Sequence, residues 1–205
     1  MGNLYNIFRK KDHIVYLKGT LSQEDCKTAI DYFEEHKELQ YAGRLNGKLK
    51  PRLKSDTEIC FTIEKDKPPC PVLNPFFKAL NGGVDQYIKE YPYIDKLPNV
   101  WRLYSDIKIQ RYNPGEGYFA LHCENEGFNL RYPDTASRVL AWMIYLNDVK
   151  DGGYTEFPSQ GKKFQPRRGD LLMWPAYFTH PHRGSVSKTQ TKYITTGWYN
   201  FVPEG

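Results

Sequence analysis

The feature that most constrains this 205-residue chain is a change of texture near Val100. From there on, short segments rich in β-branched and aromatic residues alternate with turns built on Gly, Pro and Asp. The clearest are SDIKIQRY from Ser105, YFALHCE from Tyr118, RVLAWMIYLND from Arg138, DLLMWPA from Asp170 and KYITTGWYNF from Lys192. Strands at this spacing must pair with one another to satisfy their backbones, so the pattern reads as an all-β sandwich or barrel. A helix-free half of this length also argues against a Rossmann-type nucleotide fold.

The first half reads differently. Ser22 is a good helix N-cap, Asp25 stands at the capping-box position, and Ala29, Ile30, Tyr32 and Phe33 supply an apolar stripe that should run to about His36. A second helix is expected from about Asn74 to Glu90, stopped by Tyr91-Pro92. Between them, Lys37 to Lys54 reads as an exposed, mobile connection carrying the basic run GKLKPRLK. The expected architecture is mainly β with supporting α. Residues 1–99 form a helical layer with a mobile loop, and residues 100–205 form the β core of a single domain.

Composition narrows the setting. A net charge of +5 permits an acidic partner without calling for nucleic acid, whose binders carry a denser basic face. No apolar run approaches the roughly 18 residues that cross a bilayer, so no membrane partner is expected. The opening MGNLYNIFRKKDH has no apolar core of a signal peptide, and Cys26, Cys60, Cys70 and Cys123 show no CxxC spacing. Reduced thiols in a cytoplasmic protein are the expectation.

The chemistry begins at His122-Cys123-Glu124. In a strand, residues two apart share a face, so an imidazole and a carboxylate stand side by side while Cys123 turns away. A further ligand must come from His180 or His182, which also share a face. Two histidines and one carboxylate leave metal positions open, as non-haem iron(II) oxygenases require. A strand later, Lys192 sits in an apolar and aromatic segment. A buried lysine needs an anion, and a dicarboxylate reaching from the metal would supply one. A zinc site made from His122, Cys123, His180 and His182 is the rival on residue types alone, but adjacent strand residues face opposite ways.

Four segments, in order, resemble the prolyl 4-hydroxylases of the Fe(II)/2-oxoglutarate-dependent dioxygenase superfamily. RVLAWMIYLNDVKDGGYTEFP is similar to their central strand, acidic turn, Gly-Gly and Phe-Pro block, and RYNPGEGYFALHCEN to the turn leading to their first metal histidine. RRGDLLMWPAYFTHPHRG resembles the strand and Pro-His that deliver the second, and KTQTKYITTGWYNF the final strand with its basic residue and tryptophan. The helix opening Leu-Ser-x-Glu-Asp-Cys is similar too.

The resemblance implies a double-stranded β-helix (jelly-roll) core packed against N-terminal helices. It implies Fe(II) held by His122, Glu124 and His182, and 2-oxoglutarate gripped by Lys192 with Tyr112 and Tyr145 lining its pocket. Trp198 would lie near the substrate, as would Arg52 in a covering loop with Lys48, Lys50 and Lys54. The family usually carries His-x-Asp where this chain has Glu124; Glu126 is the reserve ligand, and His180 a packed or supporting residue. The implied activity is hydroxylation of proline in a peptide or protein, coupled to conversion of 2-oxoglutarate and O2 to succinate and CO2, with ascorbate as an accessory reductant. An oxygenase of a free amino acid, another side chain or a nucleobase, and a non-catalytic binding module, are the alternatives.

Overall fold

Period-two patterning decides the architecture. In the computed structural model, which describes residues 11–45, 47–127 and 133–202, strand β8 (Arg138–Tyr145) is apolar on both faces. Its Leu140, Trp142 and Ile144 enter one hydrophobic cluster, and Ala141, Met143 and Tyr145 enter another. A strand buried on both faces must be central, with a layer on each side.

Before β8 come β1 (Val15–Leu17), β2 (Tyr41–Ala42), β3 (Lys54–Ser55), β4 (Thr57–Thr62), β5 (Trp101–Leu103), β6 (Asp106–Tyr112) and β7 (Gly117–Tyr118). After it come β9 (Thr155–Phe157), β10 (Lys162–Phe164), β11 (Leu171–Pro175), β12 (Arg183–Gly184) and β13 (Lys192–Phe201). The major sheet runs β1-β11-β8-β13-β6-β4-β2, with β5 also on β13. A smaller sheet, β10-β9-β12, and the ribbon β3-β7 face it. The pairings are antiparallel. The result is the expected double-stranded β-helix.

Two helices cover the outer face of the major sheet. Helix α1 (Gln23–Glu35) opens on the capping box read from the sequence, with the Ser22 hydroxyl accepting from the Asp25 N–H. It buries Cys26, Ala29 and Phe33. Helix α2 (Asn74–Glu90) has the expected bounds and buries Phe76, Ala79, Leu80 and Tyr87. Both pack on Ile107, Ile109, Trp142, Ile144 and Leu171. Burying side chains of this size contributes about 1.5–3 kcal/mol each. Gly83 of α2 makes room for close approach to the sheet, because a Cβ there would lie 2.5 Å from Cδ2 of Leu171; within the sheet, a Cβ at Gly197 would lie 2.7 Å from Cζ2 of Trp142.

Three features depart from expectation. The first half supplies sheet strands as well as helices: β1 pairs with β11, and β4 with β6. The segment YFALHCE is strand only at its start. After Tyr118 the N–H groups of Phe119 and Ala120 both turn to the Leu53 carbonyl, which bends the chain out of the ladder. The connection from Lys37 is largely exposed, but Lys54 at its end is buried, at 5% exposure. Among the described residues no helix is long and apolar enough to cross a membrane.

Candidate active site

The inner face of the major sheet and the small sheet enclose a cavity of about 550 Å³. Register arranges its wall in rows. Lys192 lies opposite Tyr112, Ile194 opposite Gln110, and Gln110 opposite Glu58 on the next strand. All five border the cavity, and so do Thr196 and Trp198 further along β13.

His122 and His182 meet across an isolated antiparallel bridge, where each N–H donates to the other's carbonyl, at 3.0 and 2.8 Å. The bridge, not a continuous strand, aims both rings at one point. The Nδ1 atom of His122 lies 2.9 Å from the Ala120 carbonyl oxygen, and that of His182 lies 3.0 Å from the His180 carbonyl oxygen. A carbonyl oxygen only accepts, so each Nδ1 carries the proton and each Nε2 presents a bare lone pair. Tyr118 stacks on His122 at 3.6 Å, and Phe157 and Trp174 pack on His182.

Glu124 joins them. Its N–H donates to the Ala176 carbonyl, and its Oε1 lies 3.2 Å from His182 Nε2 and 3.5 Å from His122 Nε2. The three ligand atoms lie within 4.8 Å of one another. Burial pushes His182 below its ordinary value and so favours the neutral ring. Burial opposes charge on Glu124, but hydrogen bonds and charge from the two imidazole rings in their Nε2-protonated form outweigh it and hold the carboxyl well below the usual range. Two imidazole lone pairs and an anionic oxygen facing one another need a cation between them, and the donor set suits non-haem iron. The residues present therefore fit the metal.

The second oxygen of Glu124 is fixed from behind. Trp198 Nε1 donates to Oε2 at 2.9 Å. Arg138 Nη1 lies 2.9 Å from the Glu124 carbonyl and 3.4 Å from Oε2, with its guanidinium 3.8 Å from the Trp198 ring centre. Oε1 is thereby left for a metal, and the extra methylene of Glu is absorbed by anchoring Oε2.

Other candidates fall elsewhere. His180 is buried, with Nε2 2.7 Å from the Asp12 carbonyl and Nδ1 2.9 Å from the Thr179 hydroxyl, so both nitrogens are occupied away from the site. Cys123 donates to the Asn125 carbonyl at 3.3 Å and stands outside the ligand cluster, against the zinc reading. Glu126 borders the cavity, also outside that cluster.

Lys192 is 5% exposed. Its Nζ donates to the Gly153 carbonyl at 3.1 Å and lies 4.9 Å from the Tyr112 ring centre. Gly153 can turn its carbonyl this way because it adopts φ 68°. Burial lowers the ammonium pKa to about 8, with Asp56 opposing at longer range. A buried cation with one neutral partner is matched to an incoming carboxylate.

Two expected site residues lie off the cavity lining. Tyr145 is fully buried and does not border the cavity, because its hydroxyl donates to Thr155 at 2.7 Å; Thr155 is the residue that reaches it. Arg52 is exposed and outside the cavity lining, whereas Arg44, Lys50 and Lys54 border it. The turn at Lys50–Lys54, where Leu53 and Lys54 N–H groups donate to the Lys50 carbonyl, carries Arg52 past the opening. Sequence reasoning also missed Arg138 and the buried group Asp56, Glu58 and Gln110, which Lys54 joins. Lys54, Asp56 and Glu58 follow one another at a spacing of two, which was the available signal, although they run from β3 into β4.

Comparison with known proteins agrees with this geometry. Residues 107–200 match the family model of the 2OG-Fe(II) oxygenase superfamily. Prolyl 4-hydroxylase subunit alpha-1 of Rattus norvegicus is 29% identical over 72 residues, covering 34% of this chain and 14% of that protein. The chain thus spans only a small part of the alpha-1 relatives it matches. A viral collagen prolyl hydroxylase from Paramecium bursaria Chlorella virus-1, solved as a 2OG complex, superposes with TM-score 0.68 at 18% identity, covering 93% of this chain and 97% of that one. A Trichoplax adhaerens prolyl hydroxylase, solved with a hypoxia inducible factor peptide fragment, gives 0.66 at 18% identity, covering 93% and 84%. Residues 107–200 of the chain thus match the 2OG-Fe(II) oxygenase superfamily, and prolyl hydroxylases are among the proteins it resembles in sequence and fold.

Proposed function

We propose that this protein is an Fe(II)- and 2-oxoglutarate-dependent hydroxylase of proline in a peptide or protein. The observation that carries the proposal is one cavity bordered both by three converging metal-type donors and by a buried ammonium whose hydrogen bond goes to a neutral carbonyl. In this reading residues 1–205 work as one oxygenase domain, with His122, Glu124 and His182 holding the iron.

Bound iron, with O2, supplies the redox chemistry that couples decarboxylation of 2-oxoglutarate to succinate and CO2 with hydroxylation of the substrate. The chain's own residues do the rest. Lys192 pairs with the distal carboxylate of the co-substrate and fixes its direction across the cavity. Trp198 and Arg138 hold Glu124 and form the wall beside which the peptide would lie. Met143, Trp174 and Ile194 keep the inner end apolar and exclude water.

The prolyl substrate is supported by the relatives, two of which were solved with 2OG or with a peptide fragment. Ascorbate as reductant and a cytoplasmic setting belong to the proposal as well; four free cysteines are consistent with the latter. The test is a panel of proline-containing peptides incubated with protein, Fe(II) and 2-oxoglutarate. Gain of one oxygen atom on proline is expected. An oxygen gained on another side chain, or on a free amino acid or nucleobase and not on peptide, would retire the prolyl assignment.

A further inference from the structure

One side of the Lys192 ammonium is left bare by a glycine that its own backbone does not require. Gly184 lies on β12 opposite Thr155 of β9, and both border the cavity. Its φ is outside the left-handed region, where a glycine would be needed. A Cβ built on Gly184 would lie 3.5 Å from the Tyr118 nitrogen, 3.8 Å from the Tyr118 Cβ and 3.7 Å from Lys192 Nζ. These are ordinary contacts, so packing does not demand a glycine either. What a methyl group here would take is the space directly beside the ammonium.

Two other sides of that ammonium are taken up. Nζ donates to the Gly153 carbonyl at 3.1 Å, and the Tyr112 ring centre lies 4.9 Å away. The metal-type donors lie on the side of Gly184. His182 stands two residues before it, and residues two apart in extended chain face the same way. Arg183, between them, turns its guanidinium to Glu156 at 3.0 Å. Two residues of extended chain span about 6.6 Å, a reach comparable to a five-carbon diacid with one end among the donors and the other at Nζ. Tyr118 flanks both ends of that path, since it stacks on His122 and also meets the Gly184 position.

We propose that Gly184 is a specificity-determining residue: lacking a side chain, it admits the distal carboxylate of the co-substrate to Lys192, and so makes the cavity select a five-carbon 2-oxo diacid over shorter 2-oxo acids. This rests on the co-substrate assignment made above and adds the residue that reads chain length. A carboxylate oxygen bonded to an ammonium sits at about 2.7–2.9 Å, and a methyl group touching Nζ from the cavity side competes for that place. Pyruvate shares the oxo-acid end of 2-oxoglutarate but ends well short of Lys192, so it does not meet the methyl.

The experiment measures binding of 2-oxoglutarate and of pyruvate by calorimetry, in the presence of Mn(II), for wild type, Gly184→Ala and Gly184→Val. Gly184→Ala is expected to weaken 2-oxoglutarate about tenfold and to change pyruvate by less than about threefold. Gly184→Val should carry the same change further. An equal loss for both acids would mean that the position does not read length, and no loss would mean that the carboxylate lies elsewhere; either overturns the proposal. In the ligand-free protein the thermal midpoint of Gly184→Ala should equal or exceed that of wild type, because alanine fits this backbone. A lowered midpoint would show that the space is not open, and would overturn the proposal too.

Acetate separates this inference from the co-substrate reading. In metal-free protein, acetate compared with chloride at equal ionic strength should raise the midpoint of wild type, and not that of Gly184→Ala. If 2-oxoglutarate fails to bind wild type but acetate shows this pattern, the co-substrate assignment fails while Gly184 still admits a carboxylate to Lys192. Equal effects of acetate on the two proteins would overturn the role of Gly184 whatever the co-substrate is.

Discussion

Trp198 holds one oxygen of Glu124 while the other oxygen faces two histidines: Nε1 donates to Oε2 at 2.9 Å, and Oε1 lies 3.2 Å from His182 Nε2. This division of labour explains how a glutamate, one methylene longer than an aspartate, presents a single oxygen to the two histidines. Removing the anchor should loosen the metal without emptying the site. Trp198→Phe is expected to weaken Mn(II) or Fe(II) affinity by about tenfold, the scale for groups that orient a ligand from behind. Unchanged affinity by direct metal titration would show that Trp198 only fills space.

Lys192 gives a prediction with a sign. Its folded pKa is about 8, lowered from 10.5 by burial, so the folded state favours the neutral amine. The unfolded chain then binds more protons between those two values. The ammonium's cost to folding, on the order of 3 kcal/mol, is fully present below about pH 8 and is relieved as pH rises toward 10.5. In the free protein, Lys192→Met should therefore raise the thermal midpoint at pH 7, and the gain should shrink at pH 10. The same variant should lose 2-oxoglutarate affinity, since a buried carboxylate left unpaired costs about 3–5 kcal/mol. A variant that binds the co-substrate as tightly as wild type would contradict the assignment.

The cavity opening predicts where substrate charge is read. Arg44 and Lys50 border it, whereas Arg52 faces solvent. Charge reversal at Arg44 and Lys50 should raise KM severalfold for acidic proline peptides and less for neutral ones. Arg52→Glu should leave both within twofold, as rim charges in water contribute little. Equal effects from the two sets would mean that long-range charge, not the opening, sets the preference.

Packing behind the site predicts a steric limit. Gly197→Ala would place a Cβ 2.7 Å from Trp142, a residue buried on the helix-facing side of β8. Overpacking of this kind costs about 1–3 kcal/mol. A thermal midpoint equal to wild type would show that Trp142 moves aside freely.

Much of the fold and site is legible in the residues alone, for reasons of range. Helix α1 is written in a local signal, Ser22 with Asp25, and α2 ends at Tyr91-Pro92, so both stand where the sequence puts them. His122, Glu124, His182 and Lys192 can be singled out by residue type and order. What brings the two histidines together is a bridge between distant segments, however, not the continuous strand that YFALHCE suggests. Glu58 meets Gln110 only through the pairing of β4 with β6, and no local periodicity reports which strands become neighbours. Arg138 reads as the polar start of an apolar strand until Trp198 is placed beneath its guanidinium. For Tyr145 a motif supplies the pocket role, whereas no local pattern reports that its hydroxyl donates to Thr155.

The most direct test of the central claim is succinate formation from 2-oxoglutarate by the anaerobically iron-loaded protein after O2 is admitted, with and without proline-rich peptide. The account predicts iron-dependent succinate that rises with peptide, matched by oxygen gained on the peptide and lost in His182→Ala. Bound iron and bound 2-oxoglutarate without succinate under either condition would contradict it and leave a binding module in this fold.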